Sequence, residues 1–282
     1  MRIEARAKIN LGLEVIRKRP DGYHDIRTLF QEVGLADVLE IEAFPGREIR
    51  LEGDDRSIAW DASNLVFRAA RALQDRTGAE LGAVLRVTKK IPAGGGLGGG
   101  SSDAAAALAG LNDVWKTGCT RNELAALGRA LGADVPYFLR GGLCLGEDRG
   151  DRLTDLADLP PLHVVLALPP FPVSTALVYR SLSPASLTSA DKDSKISRFL
   201  RTGELGSLEN RLEETIFRLF PELQDYPAQF RKNGAELSLV TGSGSAVFGL
   251  FRDRGGAERC LADMRSRGAA VLVETVPRAQ GR

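Results

Sequence analysis

Apolar and polar side chains alternate early in the chain. Ile3, Ile9, Leu11, Leu13 and Val15 mark one face of residues 2–17, the two-residue period of a half-buried strand. A turn follows, tightest at Asp21-Gly22. Extended segments are expected at 25–35, 38–43 and 47–52, a helix over 64–77 and a strand over 83–88. Ser101-Ser102-Asp103 opens an alanine-rich helix to Trp115, and a further helix over 122–131 stops at Gly132. Residues 141–146 read as a strand. In the second half the run 162–168 predicts a buried strand, followed by helices at 174–182, 194–201, 204–219 and 222–232. Strands at 236–240 and 246–251 flank the turn Thr241-Gly242-Ser243-Gly244-Ser245, and a helix at 256–267 and a strand at 269–276 close the chain. The tail Gln280-Gly281-Arg282 reads as frayed. Helices and strands mix in both halves, which predicts an α+β fold. The Asp- and Pro-richer stretch 153–161 is the expected boundary between domains over 1–157 and 158–282.

Charge removes several function classes. Among 282 residues, 38 Lys and Arg face 37 Asp and Glu, a net charge of +1. Domains that grip nucleic acid usually carry a clear basic excess. No apolar run is long enough to span a bilayer, and the first residues lack the apolar core of a signal peptide. Cys119, Cys144 and Cys260 form no Cys-x-x-Cys pair, so neither a disulfide framework nor a zinc site is expected, and a reducing cytoplasm is. His24 and His163 are the two histidines, too few to favour a His-metal cluster.

The densest chemical signal is Gly94-Gly95-Gly96-Leu97-Gly98-Gly99-Gly100, six glycines in seven positions between a strand and a helix. Such a turn leaves backbone N–H groups unshielded at the positive end of a helix, where phosphate binds. Ser101 and Ser102 could cap the helix, or hold phosphate or its Mg²⁺. The Walker pattern needs Lys-Ser/Thr directly after the last glycine, and Ser101 stands there. The formal dinucleotide string Gly94-x-Gly96-x-x-Gly99 is weak in so glycine-dense a run. Protein-kinase signatures are absent, and the 241–245 turn misses the Gly-x-Ser-x-Gly of serine hydrolases.

The segment Pro92-Ala93-Gly94-Gly95-Gly96-Leu97-Gly98-Gly99-Gly100-Ser101-Ser102 resembles the phosphate loop of the GHMP small-molecule kinases. Ala7-Lys8-Ile9-Asn10-Leu11 resembles the first motif of that family and Thr241 through Phe248 the third. The first motif usually has Pro two residues before its Lys, and this chain has Arg6, a difference of strand geometry more than of chemistry. Arg19-Pro20-Asp21-Gly22-Tyr23-His24 and Leu131-Gly132-Ala133-Asp134-Val135-Pro136 are similar to one branch, whose substrate is 4-diphosphocytidyl-2-C-methyl-D-erythritol of non-mevalonate isoprenoid biosynthesis. The resemblance implies two lobes, an N-terminal α/β lobe with the phosphate loop and a ferredoxin-like C-terminal lobe, with the active site in the cleft between them. It also implies ATP and Mg²⁺ as cofactors and phosphoryl transfer to the substrate's 2-hydroxyl. The rivals are a GHMP kinase of homoserine or mevalonate type, and a catalytically silent nucleotide- or sugar-binding relative. RNA binding by the second lobe is disfavoured by the balanced charge and the lack of an aromatic RNA motif.

Residue roles follow from the resemblance and compete with plainer readings. By spacing alone Asp134 reads as a helix cap; the resemblance makes it the base that accepts the substrate hydroxyl's proton. Lys8 reads equally as a solvated strand lysine; the resemblance sets it beside Asp134, where its charge keeps the carboxylate ionised. Asn10 lies on the same strand face and could hydrogen-bond the substrate. Tyr23 and His24 would stack on and read cytosine, with Tyr179 as the second aromatic, and Gly242 and Ser243 would also touch substrate. Asn64 and Lys89 match positions near the adenosine, against plainer readings as a helix cap and a solvated charge. Ser102 is the protein's expected metal ligand.

Overall fold

The computed structural model describes residues 1–183, 186–188 and 194–279; the tail 280–282, expected to fray, lies outside them. The chain divides into two compact units, Met1–Ala7 with Leu35–Ala93 and Gly98–Arg140, and Lys8–Gly34 with Gly94–Leu97 and Gly141–Arg282.

Strands β1 (Arg2–Lys18) and β2 (His24–Pro45) each contribute to both units. The two segments expected at 25–35 and 38–43 are one strand. Asp37, in the gap between those two segments, is fully buried, its carboxylate accepting from the backbone N–H groups of Lys90 and Ile91. In the first unit β2 runs antiparallel to β4 (Leu81–Thr88), which runs parallel to β3 (Ile49–Gly53). Helices α1 (Leu65–Thr77), α2 (Gly99–Val114), α3 (Arg121–Leu131) and the short α4 (Val135–Phe138) complete it. Ala104, Ala105, Ala106 and Ala107 of α2 are buried, in one core with Leu39, Ile41, Leu73 and Leu85. Gly110 admits no side chain, since a Cβ there would stand 2.4 Å from Ile3 and 2.5 Å from Ile41. The Thr120–Glu123 capping box starts α3. Helix α4 starts where the spacing around Asp134 offered a cap, and its single turn leaves no periodicity to read.

In the second unit β2 pairs with β5 (Leu143–Glu147), and β5 with β6 (Arg152–Asp155), a four-residue strand the pattern did not reveal. A separate antiparallel sheet has the order β10-β7-β9-β8 from β7 (His163–Ala167), β8 (Leu237–Val240), β9 (Val247–Phe251) and β10 (Ala270–Glu274). Fourth-first-third-second is the strand order of a ferredoxin-like sheet, as expected. The helices are α5 (Thr175–Arg180), α6 (Lys195–Thr202), α7 (Glu213–Leu219), α8 (Tyr226–Lys232) and α9 (Arg254–Arg267). The Phe230 ring of α8 lies against Gly249 of β9, where a Cβ would meet it at 2.4 Å.

Two expected helices are broken. Over 204–219 only a 3₁₀ turn, Leu205–Ser207, and α7 are helical. Between them the backbone pairs with β1: Leu13 N donates to Glu209 O at 2.9 Å and Arg211 N to Leu13 O at 2.8 Å. These bonds use the groups a continuous helix would need. Over 222–232 a 3₁₀ turn at Pro221–Leu223 precedes α8, whose first turn holds Pro227; proline is tolerated there and not further inside a helix.

All three cysteines are free thiols. Burial pushes Cys144 and Cys260 up to about 12, so both are unreactive at neutral pH.

Candidate active site

In the second unit, β1 carries Lys8 and Asn10 two residues apart, on one face. Neither is solvated: Lys8 is 4% and Asn10 2% exposed. The plainer reading of a solvated lysine fails because the ammonium has partners inside. Lys8 Nζ donates to Asn10 Oδ1 at 2.6 Å and lies 5.4 Å from the centre of the Phe30 ring. Asn10 Nδ2 donates to Thr28 Oγ1 at 2.7 Å, and Thr28 donates onward to Gly12 O. Thr241 Oγ1 accepts from Asn10 N at 3.0 Å and donates to Asn10 Oδ1 at 3.2 Å. The asparagine is thus held on every side.

Thr241 opens the second glycine turn, which lies over the same two residues. A Cβ at Gly242 would stand 3.2 Å from Asn10 Oδ1 and 3.5 Å from Lys8 Nζ. Ser243 Oγ lies 2.7 Å from Thr175 Oγ1. The first half of the long glycine loop is laced to this turn: Ala246 N donates to Gly95 O at 3.1 Å, Lys8 N to Leu97 O at 3.0 Å and Val173 N to Gly94 O at 3.1 Å. Gly96 has φ +75°, and a Cβ on it would fall 2.2 Å from Thr241 O, so only glycine fits.

In the first unit the loop turns into α2. The helix starts at Gly99, two residues earlier than expected, with Gly98 at φ 75° as its N-cap and no side-chain cap. Ser101 and Ser102 therefore lie inside the first turn and do not cap it. The first intrahelical donor is Ser102 N, to Gly98 O at 2.9 Å. The N–H groups of Gly99, Gly100 and Ser101 precede it, at the end of the helix where its dipole is positive. Ser102 Oγ is buried and donates to Arg6 O at 2.7 Å. Gly132, just before Asp134, lies near Ser101: a Cβ there would stand 3.9 Å from Ser101 Oγ.

Lys89 is not a solvated charge either. Its ammonium donates to Asp37 Oδ2 and, at 2.7 Å, to Asp103 Oδ2. Burial opposes its charge, but Asp103 and Asp37 outweigh that and raise it above its usual value. A Cβ on Gly99 would lie 3.3 Å from this ammonium, which places the cluster at the start of α2. Desolvation pushes Asp103 up to about 7 despite Lys89, with Asp37 adding to the rise, and Asp103 Oδ1 is buried without a hydrogen-bond partner. Asp37 and Asp103 escaped the sequence reading, the first because it fell between two expected segments and the second as a helix-start residue. Asn64 caps α1, its Oδ1 accepting from Val66 N at 2.9 Å. Asp134 stands at the N-cap of α4 but makes no capping hydrogen bond, so the cap that spacing suggested is not its task.

The turn after β1 is braced by Arg17 and Arg19 on Asp25 and by Arg19 on Asp21. At its end Tyr23 is exposed, with the Arg149 guanidinium 5.4 Å from its ring centre. His24 is buried and its ring centre lies 5.3 Å from that of Tyr179, at 35°. His24 Nδ1 is buried with no hydrogen-bond partner, and burial together with Lys18 holds the imidazole below its usual 6.5. The structure brings His24 and Tyr179 together; Arg149 was not foreseen.

Comparison with known proteins gives the family. The GHMP kinases N terminal domain matches residues 64–142 and the GHMP kinases C terminal domain matches 195–270. The 4-diphosphocytidyl-2-C-methyl-D-erythritol kinase of Geobacillus thermodenitrificans is 39% identical over 267 residues, 93% of this chain and 92% of the relative. That of Pelotomaculum thermopropionicum is 40% identical over 273 residues, 95% of each chain. A crystal structure of 4-(cytidine 5'-diphospho)-2C-methyl-D-erythritol kinase superposes with a TM-score of 0.85 at 38% identity, covering 98% of this chain and 99% of that one. Homoserine kinase from Cytophaga hutchinsonii, at 19% identity and TM-score 0.74 over 98% and 96% of the two chains, shares the fold. The fold and the paired glycine turns are those of GHMP kinases, ATP-dependent phosphotransferases, and within that class this chain belongs to the 4-diphosphocytidyl-2-C-methyl-D-erythritol kinase family.

Proposed function

We propose that this kinase moves the γ-phosphoryl group of ATP to the 2-hydroxyl of 4-diphosphocytidyl-2-C-methyl-D-erythritol. The observation that carries the reading is the match along 93% and 95% of this chain to kinases of that substrate. Phosphoryl transfer needs little covalent chemistry from the protein and much positioning and charge stabilisation.

The residues divide this work. The open N–H groups at the start of α2 and the loop Pro92–Gly100 bind the triphosphate, with Asn64 and Lys89 near the nucleoside. Lys8 supplies fixed positive charge to the transferring group. Asn10, Gly242 and Ser243 orient the acceptor. Asp134 accepts the hydroxyl proton. Tyr23, His24 and Tyr179 bind the cytosine.

Among the described residues no group of three or more His, Cys, Asp or Glu side chains could hold a metal ion. That suits Mg²⁺ arriving with ATP, since this ion keeps its waters and takes most other ligands from phosphate. Bound there, it would neutralise charge on the phosphate oxygens. Ser102 fits as the single protein ligand: its hydroxyl hydrogen is given to Arg6 O and its oxygen keeps lone pairs. No helix among the described residues is long and apolar enough to cross a membrane, and the free thiols suit work in the cytoplasm.

The test is ADP release with the cytidyl substrate set against mevalonate, homoserine and galactose. Turnover of the cytidyl substrate well above the other three is expected. Preference for any of those three would overturn the substrate assignment.

A further inference from the structure

Behind the second glycine turn lie two polar side chains, one buried and one partly buried, that the chemistry above does not use. Asn210 is 3% exposed. Its Nδ2 donates to two carbonyls at once, Val240 O at 2.9 Å and Gly242 O at 2.7 Å, while its Oδ1 accepts from Leu212 N at 3.0 Å. Glu213 Oε1 accepts from Val240 N at 2.8 Å. Both polar groups of Val240 and the carbonyl of Gly242 are therefore held by side chains from 210–213.

The bracing closes a ring. Leu13 of β1 and Asn210 form a backbone bridge. Asn210 grips Val240 and Gly242. Thr241, between those two, exchanges hydrogen bonds with Asn10, three residues before Leu13 on β1. The turn that overlies Lys8 and Asn10 is thus fixed to their strand by two routes. Gly242 lies in the turn between β8 and β9, and Asn210 supplies a donor to its carbonyl.

We propose that Asn210 and Glu213 are positioning residues for the phosphoryl acceptor, acting through the turn 241–245 on Lys8 and Asn10. This rests on the reading that those two residues and the turn serve the acceptor. The chemistry required is specific. Two carbonyl oxygens facing one side chain demand a donor with two N–H groups, which asparagine has and aspartate lacks. At Glu213 only an acceptor is needed. Burial, reinforced by Glu209, pushes this carboxyl up to about 7 against Val240 N–H and Arg231, so the neutral amide of glutamine is a close substitute.

The experiment compares Asn210→Ala, Asn210→Asp, Glu213→Ala and Glu213→Gln with the wild-type protein in two readouts. The first is amide hydrogen exchange over 241–245. The second is steady-state kinetics with KM and kcat for the cytidyl substrate and KM for ATP. In both alanine variants and in Asn210→Asp, exchange in the turn should quicken by about tenfold or more, the scale set by losing a buried hydrogen-bond partner. Exchange in β7 and β9 should stay unchanged. kcat/KM for the acceptor should fall by a similar factor while ATP KM stays within about twofold, and Glu213→Gln should behave as wild type. Wild-type exchange and kinetics in the alanine variants, whatever their melting temperatures, would overturn the proposal. So would parallel losses for ATP and acceptor, which would indicate general loosening. If Asn210→Ala does not fold, the Glu213 pair decides alone. If the wild-type enzyme does not turn over the cytidyl substrate, the substrate reading has failed, and the exchange data still decide whether these residues hold the turn.

Discussion

Lys8 and Asn10 are joined by a 2.6 Å hydrogen bond between ammonium and amide oxygen, both within a buried stretch of β1. The bond fixes the ammonium at one place on the strand. A site that must stabilise charge developing on a phosphoryl group gains from a cation so held. Lys8→Met, which keeps the length and removes the charge, should therefore fold and lose kcat by about 10²–10³. Steady-state turnover with a thermal melt as control checks this; full activity would remove Lys8 from the chemistry.

Asp134 heads a single-turn helix without capping it. Asp134→Asn keeps the size and shape of the side chain and should fold. Turnover should drop by about 10²–10⁴, the usual worth of a general base, with ATP affinity unchanged by calorimetry. A variant with near-normal turnover would take the base role from this residue.

The glycine loop predicts a different failure. Gly98 holds φ +75° at the start of α2. A β-branched residue is strained in that conformation and brings a side chain to the open N–H groups. Gly98→Val should weaken ATP binding and leave cytidyl substrate binding far less affected. Calorimetry with each ligand separates the two, and unchanged ATP affinity in a folded variant would count against the loop.

Asp103 gives a stability prediction whose sign can be worked out. Its folded value is about 7 against an ordinary 3.8, so the folded state binds the proton more tightly than the unfolded one. Stability is fully present below the ordinary value and is lost as pH rises through the folded value. Asp103→Asn cannot ionise and should gain in melting temperature relative to wild type between pH 5 and 8. A constant difference across that range would show that Asp103 is ionised throughout.

The sequence revealed most elements because their patterns are local: the alternation of β1, the Asn64 cap of α1, and the apolar run of β7 read without tertiary information. It failed where distant chain captures the backbone. Residues 209–211 have the composition of a helix but give their hydrogen bonds to Leu13, and no local signal records that. The same limit applies to the site. Lys8, Asn10 and the glycine turns were legible as motifs, yet the sequence left open whether Lys8 and Lys89 were solvated or buried. The partners that bury them, Thr241 for the first pair and Asp37 with Asp103 for the second, are far off in the chain or ambiguous in type. Asn210 could have been found only by asking what holds the turn.

Substrate choice is tested at the aromatic end of the second unit. His24 and Tyr179 already lie with ring centres 5.3 Å apart, and Tyr23 is exposed with one face toward Arg149. Stacking a base on an aromatic ring is worth about 1–3 kcal/mol, so Tyr23→Ala and Tyr179→Ala should each raise the cytidyl KM by about ten- to a hundredfold. The ATP KM should hold. His24 acts differently, since its buried Nδ1 lacks a partner and can meet a polar edge. His24→Ala should lose discrimination between cytosine and uracil more than it loses affinity. Protonation adds a second check. Burial and Lys18 keep His24 neutral at pH 7, with its value below 6.5, so one ring nitrogen donates and the other accepts. Acidifying past that value makes both nitrogens donors. The cytidyl KM of the wild type should therefore rise only as pH falls below 6.5, and the His24→Ala variant should lack that rise. KM values for both substrates across pH, in wild type and the three variants, decide the matter. A shift confined to ATP would move the base clamp elsewhere, and no shift at all would point to a different acceptor.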